Sequence, residues 1–555
     1  MERQERVLIV GGVAGGATCA ARLRRLDERA EIVVFDRGPY VSFANCGLPY
    51  YVGDVIREEQ RLLVATADLF RKRFNIDVRT EHEVVSIDRA RRTIRVRDLK
   101  SGALVDEPYG ALVLAPGASP IRPPIPGIDL PGIFSVRTIP DSRRVRQWLE
   151  EKKAKRALIV GGGFIGLEMA ENLAQRGLAI TILEKAAQLM PPLDPEMAEP
   201  IRRHIEGKGV TVRLGDGLGG FEPGDGGELV ATTESGARLS CDVAILALGV
   251  RPETALAREA GLTLGRTGGI AVDGGMRTSD PHIWAVGDAV ETQDVVTGAA
   301  QVVPLAGPAN RQGRVAAESI VGRASRFRGV QATAVVGAFG ITIASTGASE
   351  KALARAGVTD YEKVYLHPGH HVGYYPGARP IHLKLLFRPS DGRVLGAQAV
   401  GEEGVEKRID VIAMAIQLGG TVEDLSEAEL CYAPQFGAAK DPVNMAGFIA
   451  ENSRNGDMPL GHWDDVGKGF VLDVREPDEV ARGPVPGAVN VPLHQLRDRL
   501  GELPQDRPLL VTCAVGQRAY YAVRLLRQNG LDARLLSGGY QTFATLPASI
   551  TSRKT

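Results

Sequence analysis

The chain has little cysteine, few aromatic residues and no excess of charge of either sign. Its 555 residues include five cysteines, and aromatic residues make up 5%. Five cysteines are too few for a disulfide-stabilised secreted scaffold, and the odd number predicts free thiols in a reducing cytoplasm. Because 67 basic residues balance 67 acidic ones, the sequence lacks the basic surplus typical of nucleic-acid-binding proteins.

Long apolar segments are also missing. No run approaches the ~20 residues that cross a bilayer, which predicts no membrane span. The N-terminus leads straight into the apolar segment RVLIV without the pattern of a signal peptide. Glycine, in contrast, is abundant with 66 residues, which indicates many tight turns and close approaches between backbone and ligand. At ~150 residues per domain, the length predicts three or four domains.

One pattern occurs twice in the first half of the chain. RVLIV, GGVAGGATCAARLRRL and EIVVFD form the order strand, glycine turn, helix, strand. RALIV, GGGFIGLEMAENLAQRG and AITILEK repeat that order further along. Since each βαβ unit of this kind binds one nucleotide, two units predict two doubly wound α/β domains that bind two nucleotides side by side.

In each unit, backbone N–H groups of the glycine turn can bind a pyrophosphate. The second strand of each unit ends in a carboxylate that can bind ribose hydroxyls. Asp36, followed by Arg37, ends the first unit, and Glu184 ends the second. A carboxylate at Glu184 repels a 2′-phosphate, which favours NADH over NADPH, although Lys185 beside it can weaken that preference. The candidate cofactor-binding glycines are Gly11, Gly12, Gly15, Gly16, Gly161, Gly163 and Gly166.

Two further motifs, together with the paired glycine turns, indicate membership of a known family. The turn Ala115-Pro116-Gly117 and the pair Gly287-Asp288 in IWAVGDAV resemble motifs of the pyridine nucleotide-disulfide oxidoreductases. The resemblance covers residues 1 to about 450 and implies that FAD binds in the first unit, with the Asp288 carboxylate on its ribityl chain. It also implies that a hydride passes from the nicotinamide to the flavin.

The segment SFANCGLPYY contains a single cysteine, Cys46. Many members of the family have a second cysteine five residues later, but here that residue is Tyr51. A lone redox thiol forms either a sulfenic acid or a disulfide with a small thiol. The segment resembles the coenzyme A-disulfide reductases, which implies a mixed disulfide between Cys46 and coenzyme A. The alternative is an NADH oxidase or peroxidase in which Cys46 cycles through sulfenic acid.

The same resemblance implies a coenzyme A site and a homodimer. The predicted coenzyme A contacts are Thr18, Arg22, Arg25, Ser42, Asn45 and Lys440. Tyr374 and Tyr432 match a tyrosine pair that this family presents across the dimer interface to the partner's cysteine, where a phenol can protonate a leaving thiolate. Tyr375 is adjacent to Tyr374, and only the family pattern favours Tyr374.

The C-terminal segment contains LDVRE, GAVNVP and CAVGQR in this order. With these motifs it resembles a rhodanese domain, a sulfurtransferase module. Cys513 ends a strand and opens a six-residue loop that Arg518 closes, so backbone N–H groups can surround a persulfide on Cys513. A loop of this length suits sulfur better than the larger phosphate or arsenate.

Together these observations predict an α/β protein with two doubly wound dinucleotide-binding domains, an α+β dimerisation domain and a small C-terminal α/β rhodanese domain. The predicted boundaries are 1–150 for the FAD domain, 151–280 for the NADH domain, 281–329 for the return to the FAD domain, 330–448 for dimerisation, 449–464 for a linker and 465–555 for rhodanese.

The fusion of a sulfur carrier with a reductase predicts an NADH:persulfide, polysulfide or coenzyme A-disulfide reductase. Its predicted partners are coenzyme A-linked or inorganic sulfane-sulfur substrates, with no nucleic acid and no membrane. The sequence does not rank these substrates. A persulfide-sensing or sulfur-delivering protein with a vestigial reductase is a second alternative. Histidines in HPGHH (367–371) have no cysteine or carboxylate at ligand spacing, so no metal site is expected.

Overall fold

The computed structural model describes residues 6–546. The first five residues, and the last nine residues of the predicted C-terminal domain, lie outside the described part. Within that part the chain divides into two compact units. The first unit runs to Ala187 and resumes over Gly209–Ala332, and the second combines Gln188–Lys208 with the chain from Thr333 onwards.

The first unit contains two five-stranded parallel sheets. The first sheet has the strand order Ile283–Ala285, Ala111–Leu114, Arg6–Val10, Glu31–Asp36, Asp77–Thr80. The second has the order Thr211–Leu214, Ala179–Glu184, Arg156–Val160, Val243–Leu246, Ile133–Phe134. Their central strands are almost continuously apolar and buried, as expected for parallel sheets covered by helices on both faces.

Helices and small antiparallel sheets complete the first unit. The helices are Ala14–Leu26, Leu48–Val52, Ala67–Phe74, Ile139–Lys152, Phe164–Gln175, Ala255–Glu259 and Ala306–Ile320. Two three-stranded sheets follow simple meanders: His82–Asp88, Thr93–Asp98 and Leu104–Pro108, and Leu218–Pro223, Leu229–Thr233 and Arg238–Cys241. The strands Ala118–Pro120 and Val250–Pro252 form a two-stranded sheet. In a further three-stranded sheet, Val290–Gln293 lies between Ile270–Ala271 and Ala300–Val302.

The second unit begins with a five-stranded antiparallel sheet. Its order is Ala334–Ala338, Ile341–Gly347, Val394–Gly401, Ile381–Phe387, Glu362–Leu366. Its helices are Pro195–Gly207, Glu350–Arg355, Val405–Leu418, Val422–Glu427 and Pro442–Arg454. The fully buried Lys384 donates to Asp194 at 2.7 Å and to Glu196 at 2.5 Å, which ties the helix from 195 to 207 onto this sheet.

A second parallel sheet forms the C-terminal part of this unit. Its order is Leu460–Gly461, Ala533–Leu536, Leu509–Thr512, Phe470–Asp473, Val489–Asn490. Helices Pro477–Arg482, Gln517–Gln528 and Gly539–Thr545 accompany it. Hydrogen bonds join this part to the antiparallel sheet and the residue after its last strand. Tyr365 N donates to Ser537 Oγ at 3.1 Å, and His367 Nε2 lies 2.9 Å from Thr542 Oγ1. His462 Nε2 lies 2.7 Å from Glu362 Oε1.

The segment predicted as a linker, 449–464, is structured differently. Its first residues continue the helix Pro442–Arg454, and Leu460–Gly461 form an edge strand of the C-terminal sheet. The polar residues 451–454 lie in the last turn of this helix and are half-buried, while Ala450 is buried.

The predicted fold class is confirmed: two doubly wound sheets, an α+β region and a small C-terminal α/β region are present. None of the helices in residues 6–546 combines the length and apolar character that a membrane crossing needs.

Candidate active site

The first glycine turn brings three chain segments together. Gly11 has a φ of +93°, and a Cβ on it would lie 2.1 Å from the carbonyl oxygen of Ala115. Only glycine therefore allows this turn to touch the Ala115-Pro116-Gly117 turn. Gly12 N donates to Asp36 Oδ2 at 2.9 Å, and Gly38 N donates to the other oxygen at 2.8 Å. Both bonds orient the carboxylate at the end of its strand.

The second turn repeats this arrangement with a glutamate. Gly161 has a φ of +110°, and its Cβ would lie 2.3 Å from the carbonyl oxygen of Ala247. Gly162 N and Ala186 N each donate to Glu184 at 2.7 Å. Lys185 points to a different partner, Glu234, at 2.7 Å. The Glu184 carboxylate is thus fixed, while the neighbouring ammonium is engaged elsewhere.

The surroundings of the first turn fit FAD. Burial raises the pKa of Asp288, and in the described residues no side-chain hydrogen bond satisfies its carboxylate, which faces the charge of Arg137. A half-buried carboxylate of this kind suits the hydroxyl groups of a ribityl chain. Gly287 N donates to Gln312 Oε1 at 2.7 Å, which fixes the loop beside it. The glycine turn, Asp36 and Asp288 could together hold the flavin nucleotide.

Sequence reasoning missed Arg137 and its partners. Arg137 donates to Ser119 Oγ at 2.6 Å and to the carbonyl oxygen of Pro116 at 3.3 Å. Glu253 joins this group through Arg137 at 3.4 Å and through Arg37 at 3.2 Å. Arg37 is therefore engaged by a carboxylate. No local motif marks Arg137, because its contacts come from segments far apart in the chain.

Cys46 is exposed in the 3-10 turn Asn45–Gly47, directly before the helix Leu48–Val52. Ser42 N donates to the carbonyl oxygen of Gly12 at 2.8 Å, so the segment that carries Cys46 is anchored to the first glycine turn. Ser42 itself has a φ of +49°, an uncommon conformation for a non-glycine residue. Asn45 is exposed beside Cys46.

Acidic groups surround Cys46. Burial, followed by the charges of Glu168 and Asp288, raises the pKa of the Cys46 thiol. Glu168 accepts a hydrogen bond from Tyr50 at 3.2 Å, and burial raises the pKa of both, that of Tyr50 to about 12. The sequence analysis did not select Tyr50 or Glu168. The position of Glu168 early in the helix Phe164–Gln175, which follows the second glycine turn, could have marked it as a candidate.

The predicted coenzyme A contacts on the first helix pair with the helix Ala306–Ile320. Thr18 Oγ1 donates to Asn310 Oδ1 at 2.5 Å, and Arg22 forms an ion pair with Glu318 at 2.6 Å. Arg25 on the same helix is exposed. The structure therefore leaves Arg25 accessible to a phosphate, while the charge of Arg22 is already balanced by a carboxylate.

The second unit contains the two predicted tyrosines. The hydroxyl groups of Tyr374 and Tyr432 lie 2.7 Å apart, and both side chains are exposed. Their hydrogen bond raises the pKa of Tyr374. Tyr375 instead places its ring edge-on to His371, with centroids 5.4 Å apart. Lys440, in the same loop region as Tyr432, is exposed.

Backbone hydrogen bonds fix the loop around Cys513. Cys513 is 1% exposed, and Gly516 N donates to its Sγ at 3.2 Å. Tyr540 N donates to the carbonyl oxygen of Cys513 at 2.7 Å, which fixes the loop to the helix Gly539–Thr545. Arg518 closes the loop and is held by both carboxylate oxygens of Glu479 at 2.6 and 2.7 Å.

The clustered histidines bind neighbouring protein groups. His367 Nδ1 lies 2.9 Å from His382 Nδ1, and burial lowers the pKa of His367 to about 3. His371 Nδ1 lies 2.9 Å from the carbonyl oxygen of Val372. Asp194, Glu196 and Glu350 form a carboxylate cluster elsewhere in this unit, but the Lys384 ammonium contacts all three.

Family models match three successive parts of the chain. Residues 5–313 match the pyridine nucleotide-disulphide oxidoreductases, residues 333–442 match the dimerisation domain of those enzymes, and residues 461–546 match a rhodanese-like domain. The resemblances found in the sequence are confirmed.

Individual proteins extend the similarity. The coenzyme A disulfide reductase of Staphylococcus epidermidis is 36% identical over 447 residues, 80% of this chain and 100% of that protein. The crystal structure of reduced Bacillus anthracis CoADR-RHD is 44% identical, with a TM-score of 0.96 over 100% of this chain and 99% of that one. A NAD-dependent persulfide reductase from A. fulgidus is 38% identical, with a TM-score of 0.90 over 97% of this chain and 100% of that one.

Proposed function

Because the chain belongs to the pyridine nucleotide-disulphide oxidoreductase family, we propose that its Cys46 reduces sulfur–sulfur bonds of coenzyme A-linked substrates in the cytoplasm. The chain is a flavin-dependent oxidoreductase that uses FAD and NADH, and it is a disulfide or persulfide reductase. The finer proposal is that Cys46 forms a mixed disulfide with coenzyme A and that Cys513 carries the sulfur to be reduced.

The observation that supports the proposal is the isolation of Cys46. Tyr51 stands where a second cysteine would resolve a disulfide, and Cys19 and Cys241 of the same unit are buried. A thiol in this setting needs a partner that diffuses in. The accessible Arg25 offers a phosphate contact of the kind that a coenzyme A nucleotide requires.

The proposed chemistry begins with the Cys46 thiolate. It attacks the coenzyme A sulfur of a coenzyme A persulfide, so that a Cys46–S–S–CoA bond forms and HS⁻ leaves with the electron pair of the broken bond. With coenzyme A disulfide, the leaving group is the thiolate of the second coenzyme A. When bound, FAD supplies the electron pair, received from NADH, that splits the mixed disulfide.

Two groups are proposed to handle protons around this step. Tyr374 and Tyr432 of one protomer face Cys46 of its partner, and the hydrogen bond between them keeps a phenol proton available for the leaving thiolate. Glu168 accepts a hydrogen bond from Tyr50, and its negative charge disfavours ionisation of the Cys46 thiol. The Cys46 thiol would thus lose its proton when a bound substrate brings positive charge or hydrogen-bond donors that offset the charges of Glu168 and Asp288.

Replacing both tyrosines is expected to slow the step in which thiolate leaves. The variant Tyr374→Phe with Tyr432→Phe keeps both rings but has no phenol, so turnover with coenzyme A disulfide should fall by about 10²-fold. Stopped-flow absorbance should show that NADH reduces the flavin at the wild-type rate. Tyr375→Phe is the matched control, because Tyr375 contacts His371 instead. Equal losses in the control and the double variant would contradict the assignment.

The proposed function predicts that coenzyme A is bound covalently in the oxidised enzyme. Treating the purified protein with a reductant should release coenzyme A in an amount equal to that of the chain, and Cys46→Ser should release none. Intact-mass spectrometry measures the adduct directly. Cys46 found instead with one added oxygen and no coenzyme A would favour the NADH oxidase or peroxidase alternative.

A further inference from the structure

The electrostatics at the mouth of the Cys513 loop are unusual for a site that binds an anion. Between Cys513 and Arg518, the only cationic side chain is Arg518 itself, and both of its terminal nitrogens donate to Glu479. This hydrogen bond lowers the pKa of Glu479 to about 2, so the carboxylate stays charged at any working pH. The single cation of the loop is therefore neutralised.

A second carboxylate makes the mouth acidic. The pKa of Arg518 is raised first by its hydrogen bonds to Glu479 and also by the negative charge of Glu476. Glu476 Oε1 lies 3.3 Å from His494 Nδ1. The nearby Arg475 is buried and engaged by both oxygens of Asp473, so its charge is not offered to a ligand. The Arg518 guanidinium, which is close enough to Cys513 for the two charges to interact, is thus surrounded by two carboxylates.

The two possible kinds of sulfur donor differ in what they leave outside the loop. An organic persulfide RS–SH delivers its outer sulfur to the Cys513 thiolate: a Cys513–S bond forms, the S–S bond breaks and RS⁻ leaves. Thiosulfate delivers its sulfane sulfur in the same way, but sulfite, a dianion, leaves. Gly516 N donates to the sulfur of Cys513, so the leaving group of either donor lies on the far side of the transferred sulfur from this contact.

We propose that the Cys513 site accepts sulfur from organic persulfides and rejects thiosulfate, and that Glu479 is the specificity-determining residue. The dianion of thiosulfate meets two carboxylates and a guanidinium that Glu479 already pairs, so like-charge repulsion weakens its binding. An organic group meets Val515 and Tyr521, which are 38% and 51% exposed beside the loop. This inference rests on the proposed role of Cys513 as a sulfur carrier.

The test measures sulfur transfer from each donor to cyanide by the full-length holoenzyme. For the wild type, kcat/KM with glutathione persulfide should exceed that with thiosulfate by at least about tenfold. Salt screens repulsion, so raising the ionic strength should increase kcat/KM for thiosulfate. These two measurements need no variant. A wild type that prefers thiosulfate, or whose thiosulfate reaction slows with salt, would overturn the proposal.

The variant Glu479→Gln frees Arg518 and keeps an amide oxygen for the hydrogen bond from Glu476 N. The ratio of kcat/KM for thiosulfate to that for glutathione persulfide should rise about tenfold, and the further change Arg518→Gln should cancel that rise. Glu502→Gln, which breaks the Arg499–Glu502 pair in the same domain, is the control and should leave the ratio unchanged. An unchanged ratio in Glu479→Gln would refute this inference.

One further variant separates this inference from the proposed function. Cys513→Ser should lose transfer from both donors. If it retains transfer, the carrier role of Cys513 is wrong, whatever Glu479 does. If it loses transfer while Glu479→Gln leaves donor preference unchanged, the carrier role stands and only the role of Glu479 fails.

Discussion

Replacing Cys46 by serine is expected to reduce NADH-dependent reduction of coenzyme A disulfide by at least about 10³-fold, while FAD stays bound. A hydroxyl is a far weaker nucleophile than a thiolate towards sulfur and cannot form the mixed disulfide. The glycine turn, Asp36 and Asp288 do not depend on the Cys46 side chain. The flavin spectrum should therefore still bleach when NADH is added.

The control for this variant is Cys431→Ser. Cys431 is also a free, exposed thiol, but it lies in the second unit and has no proposed role. Steady-state turnover and flavin absorbance should match the wild type in this control. Near-normal reductase activity in Cys46→Ser, or a loss of equal size in Cys431→Ser, would contradict the mechanism.

The parts of the site that the sequence predicted are those encoded locally. A glycine turn, the helix after it and the carboxylate at the end of the next strand form one βαβ unit, so their order in the chain predicts their proximity. The structure adds that Asp36 and Glu184 are each held by two backbone N–H groups. That detail depends on the turn conformation and has no signature in composition.

The parts that were missed depend on pairing between distant segments. Tyr50 and Glu168 are 118 residues apart, and Glu479 and Arg518 are 39 apart. A lone Tyr or Glu looks like any surface residue until the fold supplies its partner. The resemblance to a known family identified Arg518 as the residue that closes the loop, but it did not reveal that a carboxylate neutralises it.

Local structure within the predicted linker, 449–464, depends on distant pairing in a related way. Polar residues with asparagine, glycine and proline indicated an irregular connection, because these residues are typical of loops. In the structure, small residues of the helix Pro442–Arg454 are buried, and the polar residues 451–454 in its last turn are half-buried. Leu460–Gly461 then pairs with Ala533–Leu536 in the last sheet, a pairing over more than 70 residues that composition does not encode.

The Cys513 thiol is expected to matter for one class of substrate only. Its loop fixes Sγ with the Gly516 amide and is itself held by the helix Gly539–Thr545, which suits storage of a persulfide more than hydride-driven reduction. Cys513→Ser should abolish NADH-dependent release of sulfide from donors whose sulfur is first loaded onto Cys513. Reduction of coenzyme A disulfide, which reaches Cys46 directly, should stay within about twofold of the wild type.

The measurement is the ratio of two activities in one preparation. One is sulfide release from glutathione persulfide, whose sulfur is first loaded onto Cys513, and the other is NADH oxidation with coenzyme A disulfide. Because Cys513 is buried in a packed core with Ala519 and Val523, a serine could also loosen the domain, so Cys513→Ala serves as the matched apolar variant. Both variants should lose the first activity and keep the second. If both activities persist in both variants, sulfur reaches Cys46 without passing through the C-terminal domain, and the fusion does not couple the two thiols.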